Sequence, residues 1–162
     1  MVKKRSNKSA SEKLESGALV HAAFELARSL NISKLVVQAD ELRHIRLVNQ
    51  LRGSEQVIWL TRGAVELSLA RKSRDVVLHL PETKLTRISQ LKVALLLSVM
   101  NKQIDLDDSV ICLSGVAGSE RLDTLLIANV RRDFPWFRKH NIDEIRSLFA
   151  TREVAQLTPS SL

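Results

Sequence analysis

The chain has 162 residues, 44% of them hydrophobic and 27% charged, with a net charge of +7. This is the length of one domain and the composition of an ordinary globular protein, which excludes a disordered chain. No apolar stretch approaches the roughly 20 residues that span a bilayer, and the opening MVKKRSNKSASEK has no apolar signal core, so a cytoplasmic protein without a membrane contact is expected.

Residues 1–11 are expected to form a disordered basic tail. Lys3, Lys4, Arg5, Lys8 and Lys13 stand against Glu12 alone, placing +4 of the net +7 in the first 13 residues. Such a run serves as a solubilising leader, or attracts nucleic acid through counterion release.

The main domain is expected over residues 12–132. Leu14, Ala18, Leu19, Ala22, Ala23, Leu26, Ala27 and Leu30 recur with helical spacing, and Asn31 is a plausible stop. KLVVQAD then reads as a strand, and ELRHIRLVNQLRG as a helix through Leu42, Ile45, Val48 and Leu51. The unit repeats as QVIWL with TRGAVELSLARK, and as DVVLHLP with TRISQLKVALLLSVMNKQ. Continuous apolar runs alternating with helices predict a mostly parallel sheet with helices on both faces. SVICL and DTLLIANV are too close for a crossover and must pair as a hairpin. The expected fold is a three-layer α/β sandwich with a mixed five-stranded sheet, its last strand antiparallel. Residues 133–157 are expected to hold a C-terminal helix with Ile142, Ile145, Leu148 and Phe149 inward, and residues 158–162 a linker.

Catalytic and metal chemistry find no pattern here. His21, His44, His79 and His140 lack ligand spacing, and no Gly-x-Gly-x-x-Gly, Walker loop or Gly-x-Ser-x-Gly elbow occurs. No catalytic residue, metal or cofactor is expected. Cys112 reads as a small core residue and Asp107 and Asp108 as turn residues.

Ligands of open α/β sheets sit beyond the carboxyl ends of the parallel strands. Two segments there suit an anion. Thr61 brings a hydroxyl, Arg62 a forked cation and Gly63 an approachable backbone N–H at a helix start. Ser114, Gly115, Gly118, Ser119 and Arg121 offer a phosphate nest from the far side. The same residues have a purely structural reading, with Thr61 as a helix cap and the glycines as turn formers.

The order LVVQAD, VIWLTRG, VVLHLP, a helix and IDLDDSVICLSGVAGSERLDTLLIANV resembles the C-terminal domain of pyruvate kinase over residues 14–130. That resemblance implies a loop closing over an allosteric sugar phosphate. The chain departs from it at QADELRHIR, where Asp40 and Glu41 would repel phosphate, and the kinase's catalytic barrel is missing. LPETKLTRISQLKVALLLSV and GSERLDTLLIANV look closer to the domain that precedes the catalytic part of archaeal-type diadenylate cyclases and related bacterial proteins. The cyclase motifs Asp-Gly-Ala and Arg-His-Arg do not occur; RHIR at 43–46 is not the latter.

This second resemblance implies a non-catalytic regulatory or assembly domain, partnered with an attached or separate catalytic domain and sensing a small anionic metabolite or nucleotide. A homo-oligomer fits the same reading. The alternative is a nucleic-acid-associated protein that binds phosphates through the basic tail, Arg43, Arg46, Arg62 and Arg121.

Overall fold

The apolar runs form the strands they predict. The computed structural model describes residues 2–39, 42–61, 75–80, 86–116, 121–135, 139, 143, 144 and 147. Among them β1 (Lys34–Gln38), β2 (Gln56–Thr61) and β4 (Ser109–Ser114) are buried along nearly their whole length, as central strands must be when both faces are covered. The edge strands are β3 (Val76–His79) and β5 (Thr124–Asn129), and β5 is mostly half-buried.

The sheet order is β3-β2-β1-β4-β5. β1 pairs in parallel with β2 and β4, β2 with β3, and β5 runs antiparallel to β4, with Ile111 opposite Ile127. Helices cover both faces. Helix α1 (Val2–Ser29) packs on α2 (Leu42–Leu51) and β4, enclosing Val20, Phe24, Ile45, Trp59 and Leu113. Helix α3 (Arg87–Met100) covers the other face with Leu91, Ala94 and Leu95 over Val36, Leu60 and Cys112. A short α4 (Val130–Asp133) follows β5.

Two expectations change in α1. The helix begins at Val2, where a disordered tail was expected. Residues 2–16 contain neither Pro nor Gly, and extending a helix already anchored by packing adds a hydrogen bond per residue at little cost. Asn7 to Ser11 are nevertheless exposed, and from Asn7 onward Ser16 is the first residue to be buried. The buried stripe is also rotated from the predicted one: Val20 and Phe24 are enclosed, while Leu14 is 74% exposed and Leu30 is exposed too. The aromatic ring decides the rotation, because Phe24 removes more apolar surface from water than either leucine.

Asn31 ends α1 as expected, with φ 55° in the left-handed region. The expected helix over TRGAVELSLARK, most of the C-terminal helix and the linker at 158–162 lie outside the described residues.

Candidate functional site

The strand order creates a switch point. The chain leaves β1 toward β2 and β3 on one side, then returns over the opposite face through α3 to β4 on the other side of β1. Between the carboxyl ends of β1 and β4 the departing connections diverge, and sheets of this kind bind ligands at such a divergence.

Gln38 ends β1 and Ser114 ends β4. Alternation along the strands puts both on the α3 face, since Val36 and Cys112 two residues earlier belong to the α3 core. Gln38 Oε1 accepts a hydrogen bond from the Gly115 N–H at 2.9 Å. Ser114 is 0% exposed and its Oγ makes no hydrogen bond among the described residues.

Helix α3 starts at this edge. Thr86 caps it by accepting from Ser89 N at 3.2 Å, Arg87 pairs with the Asp123 carboxylate, and Asp123 N donates to Ser114 O at 3.0 Å. These bonds tie the helix start to the end of β4. Ile88, Leu91 and Leu95 line a groove between α3 and β5 with Leu126, Ile127 and Ala128, and Gln90 and Ala94 are buried on the same helix. Gln90 is 1% exposed, and neither its Nε2 nor its Oε1 has a hydrogen-bond partner among the described residues. Gln38 and Ser114 are thus buried, uncharged residues at the carboxyl ends of β1 and β4.

The other face has its own buried polar residues. Thr61 is buried at the end of β2, on the α1 and α2 side with Trp59. His44, in the first turn of α2, is 4% exposed with its Nε2 unpartnered among the described residues. Burial, aided by the Arg43 cation, pushes the imidazole down to about 4, so it is neutral at physiological pH.

The predicted ligand residues therefore divide. Thr61 and Ser114 share the carboxyl edge, but β1 stands between their strands, which separates the strands by roughly 10 Å, and they face opposite sides. Arg121 is ion-paired with Glu15 of α1 at 2.9 Å. Gly115 is held by close approach: a Cβ there would lie 1.8 Å from the Arg121 carbonyl oxygen. Arg62, Gly63, Gly118 and Ser119 lie outside the described residues.

Trp59 stands away from this edge despite its place two residues before Thr61. Its indole N–H donates at 2.9 Å to Asp75, which precedes β3 at the level of Val57 and so lies toward the amino ends of the strands. Asp75 also accepts from Arg52 Nη1 at 2.6 and 2.7 Å and from Val57 N at 3.2 Å. Trp59 reports on that core bond rather than on the ligand edge.

Sequence reading missed Gln38, Gln90 and His44. The available signal was a polar residue on a buried stripe: Gln90 precedes Leu91 and lies four residues before Ala94, and Gln38 closes an unbroken apolar run.

The profile of the family described as "Probable sensor domain DacZ_P" matches residues 15–133. The chain belongs to this sensor-domain family. The match spans all five strands and ends at α4, so the switch point and both covering layers lie inside the family domain. A solved pyruvate kinase from Cryptosporidium parvum is similar in fold, with a TM-score of 0.57 and 20% identity over 71% of this chain and 22% of the kinase. The chain thus spans under a quarter of that relative. None of the curated proteins matches.

No helix of the described residues is long and apolar enough to cross a membrane. No group of His, Cys, Asp and Glu among them could hold a metal ion.

Proposed function

We propose that this domain is a non-catalytic sensor that binds a small phosphorylated metabolite or nucleotide at its carboxyl edge and regulates a diadenylate cyclase domain, attached or separate. The observation that carries this reading is the switch point between the carboxyl ends of β1 and β4, where the buried Ser114 Oγ has no hydrogen-bond partner among the described residues, within a chain of a sensor-domain family. Thr61, Arg62, Gly63, Ser114, Gly115, Gly118, Ser119 and Arg121 remain the proposed ligand contacts.

A route from the edge to α1 supports the regulatory part. Ser16 Oγ accepts from Leu122 N at 3.1 Å and donates to Leu122 O at 3.4 Å, beside the Glu15–Arg121 pair. A ligand that moves the segment entering β5 therefore pulls on α1, which extends beyond the sheet toward the N-terminus. Assembly with a second copy fits the same role.

Thermal stability tests the proposal. A ligand that binds only the folded state stabilises it by RT ln(1 + [L]/Kd), about 2.7 kcal/mol at a hundredfold excess over Kd. The expected result is a rise in Tm with one member of a panel of sugar phosphates, nucleotides and cyclic dinucleotides. No rise across the panel contradicts the sensing reading.

The nucleic-acid reading keeps one observation in its favour, the exposure of Lys8 on the basic start of α1. It predicts binding that weakens steeply with salt and disappears on deletion of residues 1–13.

A further inference from the structure

We infer that α1 carries a joint at Ser16 and Gly17, latched by the segment that enters β5, and that the latch decides whether the basic N-terminal arm of the helix stays in line with its docked half. Joint and latch belong to the chain without a ligand and so lie beyond the sensing reading above.

The helix has two unlike halves. From Asn7 to Glu15 no residue is buried, whereas Ser16, Val20, Ala23, Phe24 and Ala27 are. The last four belong to the core beneath α1 and α2. A short helical stretch without packing is marginal in water, so the arm keeps its line through what fixes its base.

Gly17 stands at that base. A glycine in a helix interior lowers the helical population by roughly two- to fivefold relative to alanine. Packing does not demand it here, because an added Cβ would meet Leu47 Cδ2 at 3.9 Å, an ordinary van der Waals contact. Paired Ser and Gly are also among the few places where long helices bend sharply. A helix-weakening residue with room for a side chain thus occupies the boundary between the exposed and docked halves.

The latch lies across the same boundary. Ser16 Oγ accepts from Leu122 N at 3.1 Å and donates to Leu122 O at 3.4 Å, and Glu15 pairs with Arg121 at 2.9 Å. These bonds are made from the arm side of Gly17, so bending there must break them. Their anchor is firm: Leu122 is buried in the core under α1 and α2, and Asp123 binds Arg87 at the start of α3 and donates from its backbone to Ser114 O. The Glu15–Arg121 pair is largely exposed and weakens with salt, whereas losing the Ser16 hydroxyl leaves a buried N–H unsatisfied. Ser16 is therefore the main catch.

Limited trypsin digestion of the 162-residue chain tests this, because the arm exposes Lys8 and Lys13. Cleavage after Lys8 needs only the free end of the helix to fray, whereas a protease that draws in several residues on either side of Lys13 must open Ser16 and Gly17. Each rate is referred to that of a free peptide covering residues 5–20 of the same variant. Where cleavage follows the open population, Gly17→Ala is expected to slow it after Lys13 by roughly two- to fivefold. Ser16→Ala is expected to quicken it about tenfold, with cleavage after Lys8 nearly unchanged in both variants. Glu15→Gln alters only an exposed pair and is expected to quicken cleavage after Lys13 about twofold at low salt and not at high salt.

Equal changes at Lys8 and Lys13 would overturn the joint, since the helix would then fray as one piece from its end. Faster cleavage after Lys13 in Gly17→Ala would overturn it too, by making the glycine a packing requirement. Unchanged cleavage after Lys13 in Ser16→Ala and Glu15→Gln would overturn the latch. Gly17→Ala and Glu15→Gln decide the outcome where Ser16→Ala does not fold. No ligand enters the experiment, so a failed ligand panel removes the sensing reading and leaves the joint standing.

Discussion

Gln38 and Gly115, 77 residues apart in the chain, meet through a buried 2.9 Å hydrogen bond from the Gly115 N–H to Gln38 Oε1. The bond closes the carboxyl end of the β1–β4 pair just where regular ladder pairing stops at Val37 and Leu113. It also fixes the backbone at the proposed ligand edge. Replacing Gln38 by Leu leaves a buried N–H unsatisfied, with an expected loss of about 1–3 kcal/mol in urea unfolding. An unchanged midpoint would mean that the Gly115 N–H finds another acceptor.

Gly115→Ala is expected to be more damaging. The added methyl carbon would meet backbone at 1.8 Å from the Arg121 carbonyl oxygen, and backbone cannot rotate aside as a side chain does. The substitution is expected to cost about 3 kcal/mol or more, or to displace the segment at Arg121 and break its pair with Glu15. Denaturant unfolding, together with loss of any ligand response, checks this.

At the opposite end of the sheet, Asp75 has a side chain only 3% exposed and accepts from Arg52, Trp59 and the Val57 backbone. Asp75→Ala removes the buried carboxylate that Arg52, Trp59 and the Val57 N–H share and is expected to cost about 3 kcal/mol. The native Trp59 emission should change at the same time, whereas ligands of the carboxyl edge should leave it unaltered.

His44 gives the stability a pH dependence. Above pH 6.5 the imidazole is neutral in both states. Between 6.5 and about 4 the unfolded chain takes up a proton that the folded chain refuses, so acidification destabilises the fold. The contribution is on the order of 2 kcal/mol after allowance for solvent screening near the start of α2. Unfolding measured from pH 7 to 4 should show this loss in the wild type, and His44→Leu should remove that part of it.

Cys112 should be chemically inert in the folded chain. It is fully buried in β4, and burial pushes the thiol up to about 12. A thiol reagent at pH 8 should react only as the protein unfolds, with its rate tracking denaturant concentration. Rapid labelling of the native chain would show that β4 opens locally.

The sheet was legible because its signals are local. VIWL and VICL are too apolar to be exposed, and the short spacing between SVICL and DTLLIANV forces antiparallel pairing. The stripe of α1 was less legible because leucines and alanines occur on both its faces, so periodicity alone did not choose between Leu14 and Phe24. Thr61 and Ser114 were correctly assigned to the carboxyl edge, but which face each occupies depends on strand phase. Gln90 was hidden for another reason: a glutamine in an amphipathic helix reads as solvent-facing until the helix is placed on a sheet. The Ser16–Leu122 and Arg52–Asp75 contacts join distant segments and left no pattern in sequence.

Hydrogen exchange on the 162-residue chain, with and without the ligand that raises Tm, tests the central claim most directly. The account predicts that protection increases at Gly115, Leu122 and the first turn of α3, where the switch point and its link to α1 lie. Protection confined to the amino ends of the strands, or to the groove between α3 and β5, would place the ligand elsewhere and contradict the account.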